Sequence, residues 1–296
     1  MPRKLPAACT MISCVLALAS AAATMSASAA VRHHRHRSAP AGMPALKSSS
    51  ALVMDESTNS VLLEKNADVV IPIASITKLM TALVVLDADQ PIDEMIQLTP
   101  ADRQTGRGGH SRLPTGARLS RADLMHLALM ASENRAAFAL ALHYPGGMQA
   151  ALAAMNARAR VLGMTHTRFA DPTGLSALNT SSPQDLARLL AAGSRNPLIR
   201  QFSTDSRHSV RIGRRLIEFR NTDNLVAHRD WNIDVQKTGY TVDAGRCLVM
   251  KAIIEDRPIL MVLMDSYGKY SRTADARRVR DWIHARANER IEHAAR

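Results

Sequence analysis

A serine and a lysine three residues apart, Ser75 and Lys78, stand at the start of a segment in which Ile76, Leu79, Met80, Leu83 and Val84 recur at helical spacing. On a helix such a pair faces across one turn. Pro72 and Ser75 read as the start signal of that helix. A lysine fits poorly in a first turn, where the helix dipole is already positive. Burial and the dipole both disfavour its ammonium form and lower its pKa. A neutral amine there can take the Ser75 hydroxyl proton and turn the oxygen into a nucleophile. A break with local propensity of this kind is expected where a side chain serves chemistry.

Two further groups follow in the chain. Ser132-x-Asn134 lies between two helical patterns, where a polar turn can project into a cleft. Lys237-Thr238-Gly239 precedes a strand-like run. It offers a cation and a hydroxyl suited to a carboxylate, with a glycine that lets another backbone or a ligand come close. Singly, each group has a plain reading: a helix cap with an exposed lysine, a cap for the next helix, an edge strand. The first two patterns also recur, as Ser266 to Lys269, Ser57 to Asn59 and Ser194 to Asn196. The ordered triple is far more specific than any member.

The elements that must carry these groups are legible from pattern. Residues 51–64 read as a hairpin around a polar turn, and 99–120 as a long loop with several Gly and Pro. Helical patterns cover 121–130, 136–144, 148–164 and 182–193. The last of these has Ser182 as cap, Pro183 in the first position, Asp185 at the positive end and Gly193 to close it. Two nearly continuous apolar runs, 246–254 and 258–265, suit strands covered on both faces. A final helix is expected over 271–290. Strands at both ends and helices between them predict an α+β domain: one sheet from about 48–70 and 205–270, with a helical lobe over about 90–200 inserted into it.

The first 30 residues have the form of an export signal: Arg3 and Lys4, an apolar stretch from Ala7 to Ala23, then small residues to Ala30. Cys9 and Cys14 fall inside it, so cleavage leaves Cys247 alone and allows no internal disulfide. Residues 31–47 form a basic linker in which His33, His34 and His36 are joined by no downstream metal-ligand cluster. The folded domain is expected over 48–291. No later run approaches the ~18 apolar residues of a membrane span. The net charge is +12, of which Arg3 and Lys4 carry two, so the exported chain holds +10. That charge suits a cell wall or lipid headgroups. Nucleic acid is disfavoured, since aromatics are 3% and no binding motif is present.

Ser75-x-x-Lys78, Ser132-x-Asn134 and Lys237-Thr238-Gly239, in this order, resemble the motifs of penicillin-binding proteins and serine β-lactamases. The likeness runs from about Ala51 to Ile283. The stretches "LMASENRAAFALALHYPGG", "NARARVLGMTHTRFADPTGLS" and "FRNTDNLVAHRDWNIDVQKTGYT" resemble the D-alanyl-D-alanine endopeptidase branch, the penicillin-binding protein seven type. Glu133 departs from the usual S-D-N form at a position taken as variable. The resemblance implies a penicillin-recognising fold, an antiparallel sheet flanked by helices with a cleft against the helical lobe. It implies Ser75 as acylated nucleophile, Lys78 as base and Ser132 as proton relay. Asn134 would hold the substrate amide, and Lys237 and Thr238 its terminal carboxylate. The backbone N–H groups of Ser75 and Tyr240 would form the oxyanion hole. It further implies periplasmic action on peptidoglycan stem peptides, covalent inhibition by β-lactams, and no metal or other cofactor. A β-lactamase and an inert wall-binding protein are the rival classes. The extra C-terminal domain and anchor helix of some carboxypeptidase relatives are not expected, nor is a glycosyltransferase domain.

Overall fold

The structure, a computed structural model, describes residues 42–102 and 111–294. The leader and most of the basic linker, with its three histidines, lie outside the described residues. The strands are β1 (Ser48–Asp55), β2 (Ser60–Lys65), β3 (Ile71–Pro72), β4 (Met95–Gln97), β5 (Arg118–Ser120), β6 (Thr180–Ser181), β7 (Arg207–Ile212), β8 (Arg215–Arg220), β9 (Asn232–Thr241), β10 (Gly245–Ile254) and β11 (Arg257–Ser266). The helices are α1 (Thr77–Asp87), α2 (Arg121–Met130), α3 (Asn134–Leu142), α4 (Gly147–Val161), α5 (Pro183–Ser194), α6 (Pro197–Thr204) and α7 (Ser271–Ala294).

One five-stranded antiparallel sheet has the order β2-β1-β11-β10-β9. Its two faces belong to two apolar cores. Val249, Val262 and Met264 face the core shared with α1 to α6. Leu248, Met250, Met261 and Leu263 face Ala276, Val279 and Ile283 of α7. Coverage on both sides is why β10 and β11 read as unbroken apolar runs. The β1–β2 turn is held by Asp55, whose Oδ1 accepts from the N–H of Ser57 at 3.0 Å and from its hydroxyl at 2.6 Å. Asn59 there takes a left-handed φ of 55°, which asparagine tolerates. Ser182 caps α5 by accepting from Asp185 N–H.

One expectation needs correction. The sheet does not extend back to residue 205, because β7 and β8 pair only with each other, in a separate hairpin. Their inward positions, Val210 and Phe219, pack on the lobe instead. The alternation was present in "RHSVRIGRRLIEFR" but was masked by its arginines. The recurring patterns have plain structural roles, beginning with Ser194 to Asn196. Here Asn196 caps α6, accepting from Leu198 N–H, with Pro197 at the first position. The Ser57 to Asn59 repeat is the hairpin turn, and Ser266 to Lys269 is the bend between β11 and α7.

Candidate active site

The turn that carries Ser75 is wedged between a loop and a strand. Ile73 N–H donates to Asn179 O at 3.0 Å. Ala74 takes a left-handed φ of 48°, uncommon for a residue with a Cβ. A short 3-10 turn, Ala74–Ile76, then leads into α1. Glycines make this close fit possible. A Cβ on Gly174 would fall 1.8 Å from Ala74 O, and one on Gly239 would lie 3.0 Å from Ile73 O and 3.3 Å from Ser75 N. Ser75 does not start the helix as its spacing predicts. The α-helix begins at Thr77 with no side-chain cap, and the half-buried Ser75 hydroxyl has another partner.

That partner is Lys78. Its Nζ lies 2.8 Å from Ser75 Oγ, 2.7 Å from Asn134 Oδ1 and 2.7 Å from the backbone oxygen of Thr173. The side chain is fully buried. Both carbonyl oxygens can only accept, so they fix two of the Nζ–H bonds. The third direction points at Ser75 Oγ. In the neutral amine it is the lone pair that faces the hydroxyl proton. Burial lowers the Lys78 pKa to about 7, against the opposing charges of Asp171 and Glu133. The base is therefore poised near neutral pH, and its free electron pair is aimed by the two carbonyls.

The Thr173 carbonyl was not visible in the sequence, because a backbone acceptor has no residue-type signature. Its position follows from Asp171. Oδ1 of Asp171 accepts from Thr173 N–H at 2.6 Å, the Thr173 hydroxyl at 2.6 Å and Gly174 N–H at 2.8 Å, while Oδ2 accepts from Ser176 N–H at 2.7 Å. The carboxylate thereby wraps residues 171–176 around itself. Asn179 ties the loop to α1: its side-chain N–H groups donate to Thr77 Oγ1 at 2.9 Å and to Asp171 O at 2.8 Å.

Ser132 occupies the junction of α2 and α3, half-buried, with a left-handed φ of 57°. Strained backbone of this kind concentrates at functional sites. Glu133 caps α3 by accepting from Arg135 N–H at 3.1 Å. An acid suits this cap position at the positive end of the helix. Asn134 is the first residue of α3, and its Oδ1 reaches Lys78.

The opposite wall is β9, an edge strand of the sheet. Lys237, Thr238 and Gly239 are buried, whereas the Tyr240 side chain is exposed with the Arg246 guanidinium 4.4 Å from its ring centre. Lys237 Nζ donates to Thr238 O at 3.0 Å. Burial, then repulsion from Lys78 and Arg272, drives its pKa well below the ordinary lysine value. The close approach of Gly239 to the Ile73–Ser75 backbone sets this strand beside the turn that carries Ser75. Thr238 Oγ1 is 2.6 Å from Thr222 Oγ1, and Thr222 N–H donates to Met130 O at 3.0 Å, which ties β9 to the α2 end that leads to Ser132. Sequence reasoning missed Thr222 and also Arg272 of α7, whose guanidinium donates to Gly239 O at 2.8 Å. It missed Asp223 as well, buried beside these cations, with burial raising its pKa. Cys247 is buried, and burial raises its thiol to about pKa 11, so it is inert. Among the described residues no group of three or more His, Cys, Asp or Glu could hold a metal ion, and no helix is long and apolar enough to cross a membrane.

The serine and lysine of the first motif and the asparagine of the second thus meet in one hydrogen-bonded cluster, with the third motif across the cleft. Residues 36–268 match the D-alanyl-D-alanine carboxypeptidase family model. The chain is 48% identical over 248 residues to the D-alanyl-D-alanine endopeptidase of Pseudomonas aeruginosa, covering 82% of this chain and 80% of that one. To the enzyme of the same name from Escherichia coli it is 47% identical, covering 82% and 79%. Among solved structures, the D-alanyl-D-alanine carboxypeptidase of Mycobacterium tuberculosis superimposes with a TM-score of 0.74 at 27% identity, covering 84% of this chain and 95% of that one. A Streptomyces DD-transpeptidase gives 0.77 at 23% identity, covering 82% and 99%, a likeness of fold.

Proposed function

The chain belongs to the D-alanyl-D-alanine carboxypeptidase family, and on that premise we propose that it is an exported, periplasmic serine peptidase cleaving D-alanyl bonds of peptidoglycan through an ester at Ser75. The identity to two endopeptidases supports cross-links, rather than free pentapeptide ends, as the bond attacked. Residues 1–30 serve as the export signal, 31–47 as a basic linker and 48–291 as the peptidase domain. The observation that carries the reading is Lys78 Nζ, held by two carbonyls and facing Ser75 Oγ at 2.8 Å.

In this reading Ser75 Oγ attacks the D-alanyl carbonyl as Lys78 takes its proton. The backbone N–H groups of Ser75 and Tyr240 receive the oxyanion. Ser132 passes a proton to the leaving amine, and the C–N bond breaks. Lys237 and Thr238 hold the carboxylate of the leaving side, and Asn134 positions the substrate amide while directing Lys78. Water then hydrolyses the ester. No metal or other cofactor takes part.

β-Lactams acylate the same serine. Many β-lactamases of this motif type use a further carboxylate, free to activate water at the ester. The two acids of the loop and helix after the second motif are both occupied. Asp171 is held by its own loop, and Asp185 accepts from His166 N–H at 2.7 Å, the Thr167 hydroxyl at 2.8 Å and Arg188 at 2.6 Å. The penicilloyl ester is therefore expected to persist for hours. Intact mass after mixing with penicillin tests this, beside mass identification of peptides released from purified wall. Ser75→Ala should abolish both adduct and release. Rapid loss of the adduct with many turnovers favours the β-lactamase, and wall binding without any turnover favours the inert protein.

A further inference from the structure

The β7–β8 hairpin departs from what a solvated surface element needs. Gly213 takes φ 59° at the first central position of its two-residue turn and Arg214 does not share a positive φ, the pattern of a type II′ turn that suits strand twist. His208, Val210, Ile217 and Phe219 point inward, and His208 Nε2 lies 2.9 Å from Asp123 Oδ1. The outward face and the turn hold Arg207, Arg211, Arg214, Arg215 and Arg220 against a single acid, Glu218. Arg207 and Arg220 are directly opposite each other. Like charges so placed destabilise a hairpin. Glu218 is spent on these two, at 3.7 Å and 3.1 Å. Arg211, Arg214 and Arg215 pair with no acid among the described residues.

The hairpin is also rooted at the cleft. Asn221 N–H closes it on Ser206 O at 2.9 Å, and the next residue is Thr222, which bridges Met130 to Thr238. Arg207 and Arg220 therefore stand at the root beside the second and third motifs, and the strands carry Arg211, Arg214 and Arg215 toward the turn, about 20 Å further out.

We propose that this hairpin, rooted at the cleft and reaching away from it, is a docking arm for the free carboxylates of stem peptides on the wall polymer. Guanidinium forks bind carboxylates in bidentate fashion. A lipid surface fits less well, because insertion needs an apolar wedge and the outward face offers only Leu216 as a large apolar side chain. Single-stranded nucleic acid fits less well too, since it stacks on exposed aromatic rings. Phe219 is buried with the Arg112 guanidinium 3.8 Å from its ring centre. The proposal rests on the wall-peptidase reading and names where on the chain the polymer is held.

The test is the full chain carrying Arg211→Gln, Arg214→Gln and Arg215→Gln together. Exposed ion pairs are individually weak, so three should change affinity for purified insoluble wall by about tenfold. The dependence of that binding on salt should flatten. With intact wall as substrate, KM should rise with kcat unchanged, while acylation of Ser75 by soluble penicillin should keep the parent rate. Unchanged wall affinity and salt dependence overturn the proposal. So does a loss confined to phosphatidylglycerol vesicles or to single-stranded RNA. Should the triple variant fold poorly, Arg214→Gln at the exposed turn reads the same quantity at about twofold. Failure of the parent to form a penicillin adduct strikes the peptidase reading instead, and the sedimentation assay still judges the hairpin.

Discussion

Lys78 and Lys237 are both fully buried, yet their surroundings differ. Lys78 has three oxygens within 2.8 Å, supplied by three separate segments. Lys237 has one hydrogen-bond acceptor, the carbonyl of its own neighbour Thr238. Around it stand Arg272 and, across the cleft, Lys78. The one buried carboxylate close by, Asp223, gives Oδ1 to Leu225 N–H, and its Oδ2 has no hydrogen-bond partner among the described residues. The Lys78 wall is hydrogen-bonded to completion by the protein itself. The Lys237 wall concentrates positive charge in a dry place, which costs stability and favours an incoming carboxylate. In the proposed reading, preorganised chemistry and anion recognition are thus divided between the lobe side and the sheet side.

The largest expected effect breaks the Lys78 wall. Lys78→Arg keeps a positive charge but cannot supply a base at any working pH. Its rate of acylation by penicillin should fall about 10³-fold or more, as for Lys78→Ala, the range of a lost general base. Near-parental acylation by the arginine variant would remove Lys78 from that role. On the other wall, Lys237→Met replaces a buried cation with an apolar chain of similar volume. KM for a peptide with a free terminal carboxylate should rise about 30-fold, the scale of a lost hydrogen bond to a charged group, with a melting temperature no lower than the parent's. A variant that melts many degrees lower with KM unchanged would make Lys237 structural and erase the contrast.

The smallest effect sharpens the comparison through pH. Burial holds Lys78 near pKa 7, and only the neutral amine is a base. Acylation should therefore rise as pH increases through about 7 and level off above it. Glu133 opposes the burial effect by raising that pKa. Glu133→Gln keeps an oxygen for Arg135 N–H but removes the charge, so the acid limb should move to lower pH. Stopped-flow acylation across pH 5 to 9 measures it. A shift to higher pH would contradict the assigned electrostatics.

What the sequence revealed and what it concealed follow from how each signal is written. Ser75 and Lys78 were legible because helical spacing alone brings them together. The α5 boundaries were legible because Ser182, Pro183 and Asp185 each carry a cap preference. Asp171 precedes a proline and is a residue type that suits turns, but its effect on Lys78 passes through the carbonyl of Thr173, an atom that every residue possesses. Arg272 was hidden by distance, since it arrives on α7 from 33 residues beyond Gly239. The 3-10 turn that shifts the helix start to Thr77 depends on Ala74 in a left-handed conformation, which packing against Gly174 and β9 imposes and alanine does not announce.

The strand order has a consequence in time. β1, the first strand of the domain, is an inner strand of the sheet, and its partner on one side is β11. Ser48 is further fastened to Asp275, 227 residues along the chain, by hydrogen bonds of 2.7 Å from its N–H and its hydroxyl. A chain synthesised N-terminus first presents β1 and β2 early and β11 last. A lone two-stranded hairpin is marginal in water, and contacts this remote in sequence form slowly. The two halves of the sheet, β2-β1 and β10-β9, therefore cannot join until β11 arrives within the last 40 residues of the sequence, and the facing edge of apolar β1 stays unpaired until then. The domain's assembly is governed by the last strand to arrive, and a nascent chain stalled before β11 is the species that a chaperone would have to shield.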